Sequence, residues 1–265
     1  MEVIIRPTNE AATRLAAAIT ADAIRANPDL VLGLATGRTM ERLYAMFVEE
    51  HRDRGLDFSR VRTFNLDEYI GTGPDHPHSY RFYMDKHLFG HINIVAKHAH
   101  LPDGLADDVD EECAAYERRI TACGGIDLQV LGIGLSGHIG FNEPLSALYS
   151  RTRAKALSQE TIDQNAPQFE RIEDMPKRAM TMGVGTILDS RRCVLLAAGA
   201  SKAAIVAKAI EGPITSMISA TALQFHPKCV VILDEDAASR LEHRTYYDRI
   251  YETEPEWAPY RDAGL

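Results

Sequence analysis

The sequence lacks long apolar runs and has few cysteines. No stretch has the roughly 20 apolar residues of a membrane-spanning helix. Residues 1–7 lack the basic start and apolar stretch of a signal peptide. The four cysteines include no Cys-x-x-Cys pair. We therefore expect a cytoplasmic protein with free thiols that does not bind membranes, rather than a secreted disulfide scaffold.

The chain also has fewer basic residues than acidic ones. The chain has 29 lysines and arginines against 38 aspartates and glutamates, which gives a formal net charge of −9. Such a balance argues against a protein that binds nucleic acid, although a local basic pocket could still bind a phosphorylated small molecule. No internal repeat, low-complexity tract or linker divides the 265 residues. One domain spanning residues 1–265 is therefore expected.

Short apolar segments alternate with helical patterns along the chain. Strands are predicted at residues 2–6, 30–35, 61–66, 126–133, 192–198 and 229–233. Helices are predicted between them, for example at residues 40–54, 107–123 and 201–211. This alternation predicts an α/β fold, a three-layer αβα sandwich with a mainly parallel, Rossmann-like sheet. The segment 158–176, rich in Gln, Asn, Asp, Glu and Pro, is predicted to be a mobile lid.

Ligands of an open parallel sheet bind beyond the carboxyl ends of its strands, so polar residues that follow strands are candidate site residues. Residues 36–39 join a predicted strand to a helix, whose free N–H groups and dipole suit phosphate. Gly37 permits close backbone approach, and the Thr36 and Thr39 hydroxyls can donate. An ordinary turn with a threonine N-cap explains this loop equally well. Lys202 follows another strand and could reach the same crevice, or it could be a solvated lysine.

Two adjacent acids follow the strand at 61–66. Side chains of neighbouring extended residues point in opposite directions, so one of Asp67 and Glu68 is expected to face the crevice and the other the protein. A crevice carboxylate with a tuned pKa can move a proton. The alternative is a pair of surface acids in a loop.

The glycine-rich stretch 132–144 offers His138 and Glu143 as polar groups. A histidine near a carboxylate forms a tunable acid/base pair, although a hydrogen-bonded loop histidine is the simpler alternative. The glycine spacing is not that of a dinucleotide-binding turn. The histidine pairs elsewhere, His87 with His91 and His98 with His100, have no carboxylate or cysteine placed to complete a metal site, so no metal is predicted.

Together these segments resemble the glucosamine-6-phosphate deaminase/isomerase family over nearly the whole chain. The resemblance rests jointly on Leu-Ala-Thr-Gly-Arg-Thr (34–39), Thr-Phe-Asn-Leu-Asp-Glu-Tyr (63–69), Gly-His-Ile-Gly-Phe-Asn-Glu-Pro (137–144), Ser-Arg-Thr-Arg (150–153), Gly-Val-Gly-Thr (183–186) and Leu-Gln-Phe-His-Pro-Lys (223–228). It implies conversion of an amino-sugar phosphate, glucosamine 6-phosphate, to fructose 6-phosphate and ammonia without metal or organic cofactor.

The resemblance also implies a role for each matching residue. His138 would open the pyranose ring, Glu143 would hold and polarise His138, and Asp67 would move a proton from C2 to C1. Lys202 and the backbone of residues 37–39 would hold the phosphate.

This chain departs from the family pattern at two places. Ser136 stands where many members have an acid or an asparagine, so His138 would depend more on Glu143. Many members also have a phosphate-binding arginine in the flexible segment, where this chain has none at 165–169. We expect Arg38 to replace it rather than Arg171, because ordering an arginine in a mobile segment costs entropy.

Some relatives are activated by N-acetylglucosamine 6-phosphate at a subunit interface. The matching positions here are Ser146, Arg153, Lys155 and Tyr247. Arginine and lysine suit a second phosphate, although the same residues could form a basic surface patch. The resemblance further implies a homo-oligomer, either a hexamer or a trimer.

Two other functions fit parts of the same pattern. One is a related enzyme on this fold, either a sugar-phosphate isomerase that releases no ammonia or a 6-phosphogluconolactonase-like hydrolase. The other is a non-catalytic sugar-phosphate sensor. The complete candidate acid/base set favours an enzyme over a sensor.

Overall fold

The computed structural model describes residues 1–169 and 171–265, and these form ten strands and nine α-helices with short 3₁₀ turns between them. The strands are β1 (Glu2–Arg6), β2 (Val31–Leu34), β3 (Arg62–Asn65), β4 (Asp67–Tyr69), β5 (Ala99–His100), β6 (Leu128–Leu131), β7 (Arg153–Ala156), β8 (Arg178–Thr181), β9 (Arg192–Ala197) and β10 (Cys229–Asp234). The helices are α1 (Asn9–Ala26), α2 (Arg38–Arg54), α3 (Tyr80–His87), α4 (Val109–Ala122), α5 (Gln159–Asn165), α6 (Val184–Leu188), α7 (Ala203–Glu211), α8 (Arg244–Thr253) and α9 (Ala258–Asp262).

Seven strands form one parallel sheet in the order β1-β10-β9-β6-β2-β3-β5. Strands β2, β6 and β10 are buried along their whole length, as expected for a sheet that has helices on both faces. The predicted three-layer α/β fold is thus confirmed. Each predicted strand is present in this sheet, and its ends differ from the prediction by no more than two residues at either end.

The local sequence explains why the first helix forms where it does. The Thr8 side chain accepts a hydrogen bond from the N–H of Ala11 and caps the start of α1. Leu15, Ile19 and Ile24 recur at helical spacing and are buried. This face packs against β9 and β10 and extends the core.

A second, three-stranded antiparallel sheet in the order β4-β8-β7 was not predicted. Strand β7 has the sequence Arg-Ala-Lys-Ala and is only partly buried, so it gives no apolar alternation in the sequence. A small separate core beside this sheet includes Tyr69, Phe141, Phe169 and Met175. The predicted lid 158–176 therefore has two of its apolar side chains, Phe169 and Met175, buried against the protein.

In the described residues, no helix combines the length and the apolar character needed to cross a membrane. All four cysteines are free, and Cys113, Cys193 and Cys229 are buried.

Gly183 provides a test of the packing between α6 and the loop before β7. It has an ordinary φ of −68°, but a Cβ placed there would lie 1.9 Å from the carbonyl oxygen of Ser150. Gly183→Ala should therefore lower the free energy of unfolding by about 1–3 kcal/mol, measured by denaturant titration. In Gly132→Ala, used as the control, the new Cβ meets only the flexible end of Met40 at 3.5 Å. Equal stability losses in both variants would contradict the packing explanation.

Candidate active site

A crevice of about 660 Å³ opens at the carboxyl ends of β9, β6, β2 and β3, which are neighbours in the sheet. The loops that follow these strands contribute several of the predicted site residues to its lining: Thr36, Gly37, Arg38, Thr39, Asp67, His138 and Lys202. Residues far apart in the sequence thus line one cavity. Ser136 and Glu143 do not line it.

The loop between β2 and α2 begins the helix with Gly37 at the N-cap position. Gly37 has a φ of +113°, which favours glycine. The backbone N–H groups of Arg38 and Thr39 have no hydrogen-bond partner in the part of the chain that the structure describes. The Arg38 side chain is exposed and forms no ion pair with a described residue. This loop therefore offers unpaired N–H groups and a free guanidinium to an anion.

Lys202 lies on the 3₁₀ turn before α7, next to Gly199, whose N–H donates to both carboxylate oxygens of Asp234. The Lys202 ammonium donates to the carbonyl oxygen of Ile133 at 2.7 Å. Burial, together with the positive charge of Arg38, lowers the pKa of Lys202. The two cations therefore lie near each other, and an anion between them would relieve their repulsion.

Asp67 and Glu68 point in opposite directions, as the sequence predicted. Asp67 is 5% exposed and lines the crevice. Burial and the nearby charge of Glu68 raise the pKa of Asp67 to about 8. Glu68 accepts hydrogen bonds from the N–H groups of Tyr80 and Arg81 at 2.9 Å each, at the start of α3. One carboxylate thus faces the ligand space, and the other caps a helix.

Two glycines lie beside His138. A Cβ on Gly134 would lie 2.1 Å from Nε2 of His138, so only glycine lets the imidazole lie over this position. Gly140, with a φ of +55°, has its carbonyl oxygen bonded to Nδ1 of His138, and a Cβ there would lie 3.3 Å from Oδ2 of Asp67. His138 and Asp67 therefore both lie beside Gly140. Because Nδ1 of His138 is bonded to the Gly140 carbonyl, Nε2 is the ring nitrogen left for proton exchange.

In the described part of the chain, no hydrogen bond or ion pair joins Glu143 to His138, the residue that the family pattern implied it would hold. Among the described residues, the Nδ1 partner of His138 is the Gly140 carbonyl. Glu143 instead accepts from the hydroxyl of Thr161 at 2.6 Å and from the N–H of Ser158 at 3.1 Å. Its other carboxylate oxygen and the Ser136 hydroxyl are buried without a partner in the described part of the chain. Glu143 thus joins the glycine-rich loop to the start of α5.

Several residues that line the crevice were not predicted from the sequence. Tyr80 and Tyr83 come from α3, and Thr161, Asn165 and Pro167 come from the segment 158–176. The signal for the tyrosines was available, since Ser79 caps α3 and residues three apart share a helix face. No pattern in the sequence indicated Thr161, Asn165 and Pro167, because their position at the crevice depends on tertiary packing.

No hydrogen bond joins any two of the four predicted effector residues among the residues that the structure describes. Arg153 donates to Oδ1 of Asn142 at 2.9 Å, while its other terminal nitrogen and the buried Ser146 hydroxyl have no partner among the described residues. Lys155 lies two residues along β7. Tyr247 lies on α8 and donates to Glu211 at 2.9 Å.

Within the residues that are described, no group of three or more His, Cys, Asp or Glu side chains could hold a metal ion. The titratable side chains that line the crevice are the carboxylate, imidazole and cations described above, together with Glu41, Tyr80, Tyr83, Lys86 and His87.

This chain has sequence relatives that match it over almost its full length. The glucosamine-6-phosphate deaminase of Hahella chejuensis is 52% identical over 93% of this chain and 94% of its own length. The glucosamine-6-phosphate deaminase of an Arthrobacter species is 46% identical over 97% of this chain and 99% of its own.

Solved structures agree with these relatives. A monomeric glucosamine-6-phosphate deaminase superposes with a TM-score of 0.89 at 44% identity and covers 91% of this chain and 100% of its own. The 6-phosphogluconolactonase of Trypanosoma cruzi shares the fold, with a TM-score of 0.74 at 21% identity over 91% of this chain and 97% of its own. The profile of the family described as glucosamine-6-phosphate isomerases/6-phosphogluconolactonase matches residues 7–231. The chain belongs to this family.

Proposed function

We propose that this protein converts glucosamine 6-phosphate to fructose 6-phosphate and ammonia without metal or organic cofactor. The observation that supports this most directly is the shared crevice. A buried carboxylate, Asp67, and an imidazole, His138, line the same cavity as the cations Lys202 and Arg38. The relatives at 46–52% identity are named for this deamination. We assign the proton transfers to Asp67 and His138, and phosphate binding to Lys202 and Arg38.

The proposed chemistry begins with ring opening. His138 moves a proton between the ring oxygen O5 and the C1 hydroxyl, which yields the open-chain aldehyde. Asp67 then removes the proton from C2 and returns it to C1, so that one carboxylate serves two adjacent carbons. The resulting imine at C2 adds water and releases ammonia, which leaves the ketone. No electrons are gained or lost overall, so the reaction needs no redox partner.

Phosphate binding supplies orientation. Lys202, the Arg38 side chain, the N–H groups of residues 38 and 39 and the hydroxyls of Thr36 and Thr39 are available to the phosphate group. Binding energy from this remote group holds the sugar against Asp67 and His138. Glu143 stabilises the loop that contains His138, because its carboxylate accepts a hydrogen bond from Thr161 of α5.

A substrate panel tests the reaction itself. Incubation with glucosamine 6-phosphate should release equal amounts of ammonia and fructose 6-phosphate. The likeness to the lactonase at 21% identity shows the fold alone. Hydrolysis of 6-phosphogluconolactone without any release of ammonia from the amino sugar would contradict the proposal.

Location, assembly and regulation are further parts of the proposal. We infer a cytoplasmic homo-oligomer, a trimer or hexamer, with segment 158–176 as its lid and N-acetylglucosamine 6-phosphate bound at Ser146, Arg153, Lys155 and Tyr247. Supporting features are the unpartnered atoms of Ser146 and Arg153 and the neighbouring exposed Leu145, 73% accessible. The solved relative is described as monomeric, so light scattering with and without the effector is the decisive measurement.

Replacement of Asp67 tests the proton shuttle. Asp67→Asn should lower kcat by about 10²–10⁴-fold, the usual contribution of a positioned acid or base, and leave KM largely unchanged. Steady-state kinetics measures both values. A near-normal kcat would contradict the role of Asp67.

The pH dependence follows from the raised pKa of the same group. Because the base must be ionised to take the C2 proton, kcat/KM of the wild type should fall as pH decreases through about 8, the pKa of Asp67. A pH–rate profile measures this midpoint. The residual rate of Asp67→Asn should lack the transition, and a wild-type profile that stays flat down to pH 5.5 would contradict the assignment.

Two arginines can be compared for phosphate binding. Arg38 lines the crevice, whereas Arg171 is exposed and paired with Asp174. Arg38→Ala should raise KM by an amount that corresponds to about 1.5–3 kcal/mol, the contribution of a hydrogen bond to a charged group. Arg171→Ala is the matched control and should change KM little. If Arg171→Ala were the damaging variant, the phosphate site would include the segment 158–176 instead.

A further inference from the structure

Three tyrosines lie around the loop that joins β2 to α2. Tyr44 donates to the carbonyl oxygen of Ala35, and Tyr83 donates to the carbonyl oxygen of Gly37 at 2.8 Å. Tyr80 lines the same crevice as Thr36. Two carbonyl groups of the loop are thus bonded to tyrosine hydroxyls. The contact to Gly37 is the one nearest the N–H groups offered to phosphate.

Packing does not determine the conformation of Gly37. The residue is exposed, and a Cβ placed on it would meet no atom within 4 Å. Its φ of +113° is one of many that an unhindered glycine can adopt. The carbonyl oxygen of Gly37 accepts from the N–H of Met40 at 2.9 Å and from the hydroxyl of Tyr83. These hydrogen bonds, rather than steric contacts, orient the loop.

The geometry of the peptide unit links this contact to the ligand. The Gly37 carbonyl and the Arg38 N–H belong to the same planar peptide, so fixing the direction of one fixes the direction of the other. Because Tyr83 binds the carbonyl from the α3 side, the Arg38 N–H must point in the opposite direction. That N–H is one of the two unpaired groups at the start of α2.

We propose that Tyr83 is a positioning residue for the phosphate-binding loop. It orients the Gly37–Arg38 peptide so that its N–H group points to the phosphate before the substrate arrives. Preorganisation of this kind improves binding because less conformational freedom is lost on association. The role for substrate turnover rests on the proposed function, whereas the role in anion binding does not.

Tyr83 is a better test than the other two tyrosines. Tyr44 is completely buried in the core, so its replacement would lower stability. Tyr80 is in ring contact with Tyr69 and Phe141 and therefore belongs to the second core. Tyr83 is only partly buried, and its ring contacts Tyr44 and His87. Among the described residues, its hydroxyl forms a hydrogen bond to the Gly37 carbonyl alone.

The experiment removes one hydroxyl. Tyr83→Phe should bind inorganic phosphate about three- to tenfold more weakly, the range expected for one neutral hydrogen bond, as measured by calorimetric titration. KM for glucosamine 6-phosphate should rise by a similar factor, while kcat changes by less than about twofold, because the chemical groups are untouched.

The matched control is Tyr251→Phe. Tyr251 also donates its hydroxyl to a main-chain oxygen, that of Leu265, but it lies on α8 beside the edge strand β1. This variant should retain wild-type phosphate affinity and KM. Melting temperatures of both variants verify that each is folded at the titration temperature.

Each outcome decides the question. Unchanged phosphate affinity in Tyr83→Phe, equal weakening in Tyr251→Phe, or a loss of kcat with unchanged KM would overturn the proposal. If the wild type released no ammonia from glucosamine 6-phosphate but Tyr83→Phe still weakened phosphate binding, the proposed function would fail and this inference would stand.

Discussion

Parallel pairing of four neighbouring strands is the constraint on which the site depends. Because β9, β6, β2 and β3 run in the same direction, their carboxyl ends meet at one edge of the sheet. The loops that follow them contribute Lys202, His138, Arg38 and Asp67 to one crevice. In an antiparallel arrangement, alternate strands would place their loops at opposite edges. The chemistry available to this protein therefore begins with strand direction.

Burial then sets the protonation of the groups that this edge brings together. Asp67 is buried and lies near the charge of Glu68, so its pKa is raised. Lys202 is partly buried and lies near the charge of Arg38, so its pKa is lowered. In each case the environment disfavours the charged form. A phosphorylated sugar would change both conditions, since its phosphate would pair with the cations while its carbon skeleton lies near the acid.

Glycines and hydrogen bonds determine the finer geometry of the crevice. Gly134 leaves the space that the His138 ring occupies, and Gly140 provides the carbonyl that binds it. The Glu143 carboxylate connects this loop to Thr161 at the start of α5. A movement of the segment 158–176 would therefore act on the loop that contains the imidazole.

The sequence by itself determined the strands of the parallel sheet, their alternation with helices and the edge at which polar loops follow them. Apolar runs and helical periodicity are local signals, and they were sufficient for these elements. The second sheet escaped prediction, because β7 is partly exposed and lacks apolar alternation. Only the tertiary structure decided which partner each polar group has. The family resemblance implied that Glu143 holds His138, and in the structure a left-handed glycine turn places the Gly140 carbonyl at Nδ1 of this ring. Tyr83 reaches Gly37 across 46 residues of sequence, because a hydrogen bond requires proximity in space, which packing and not sequence distance provides.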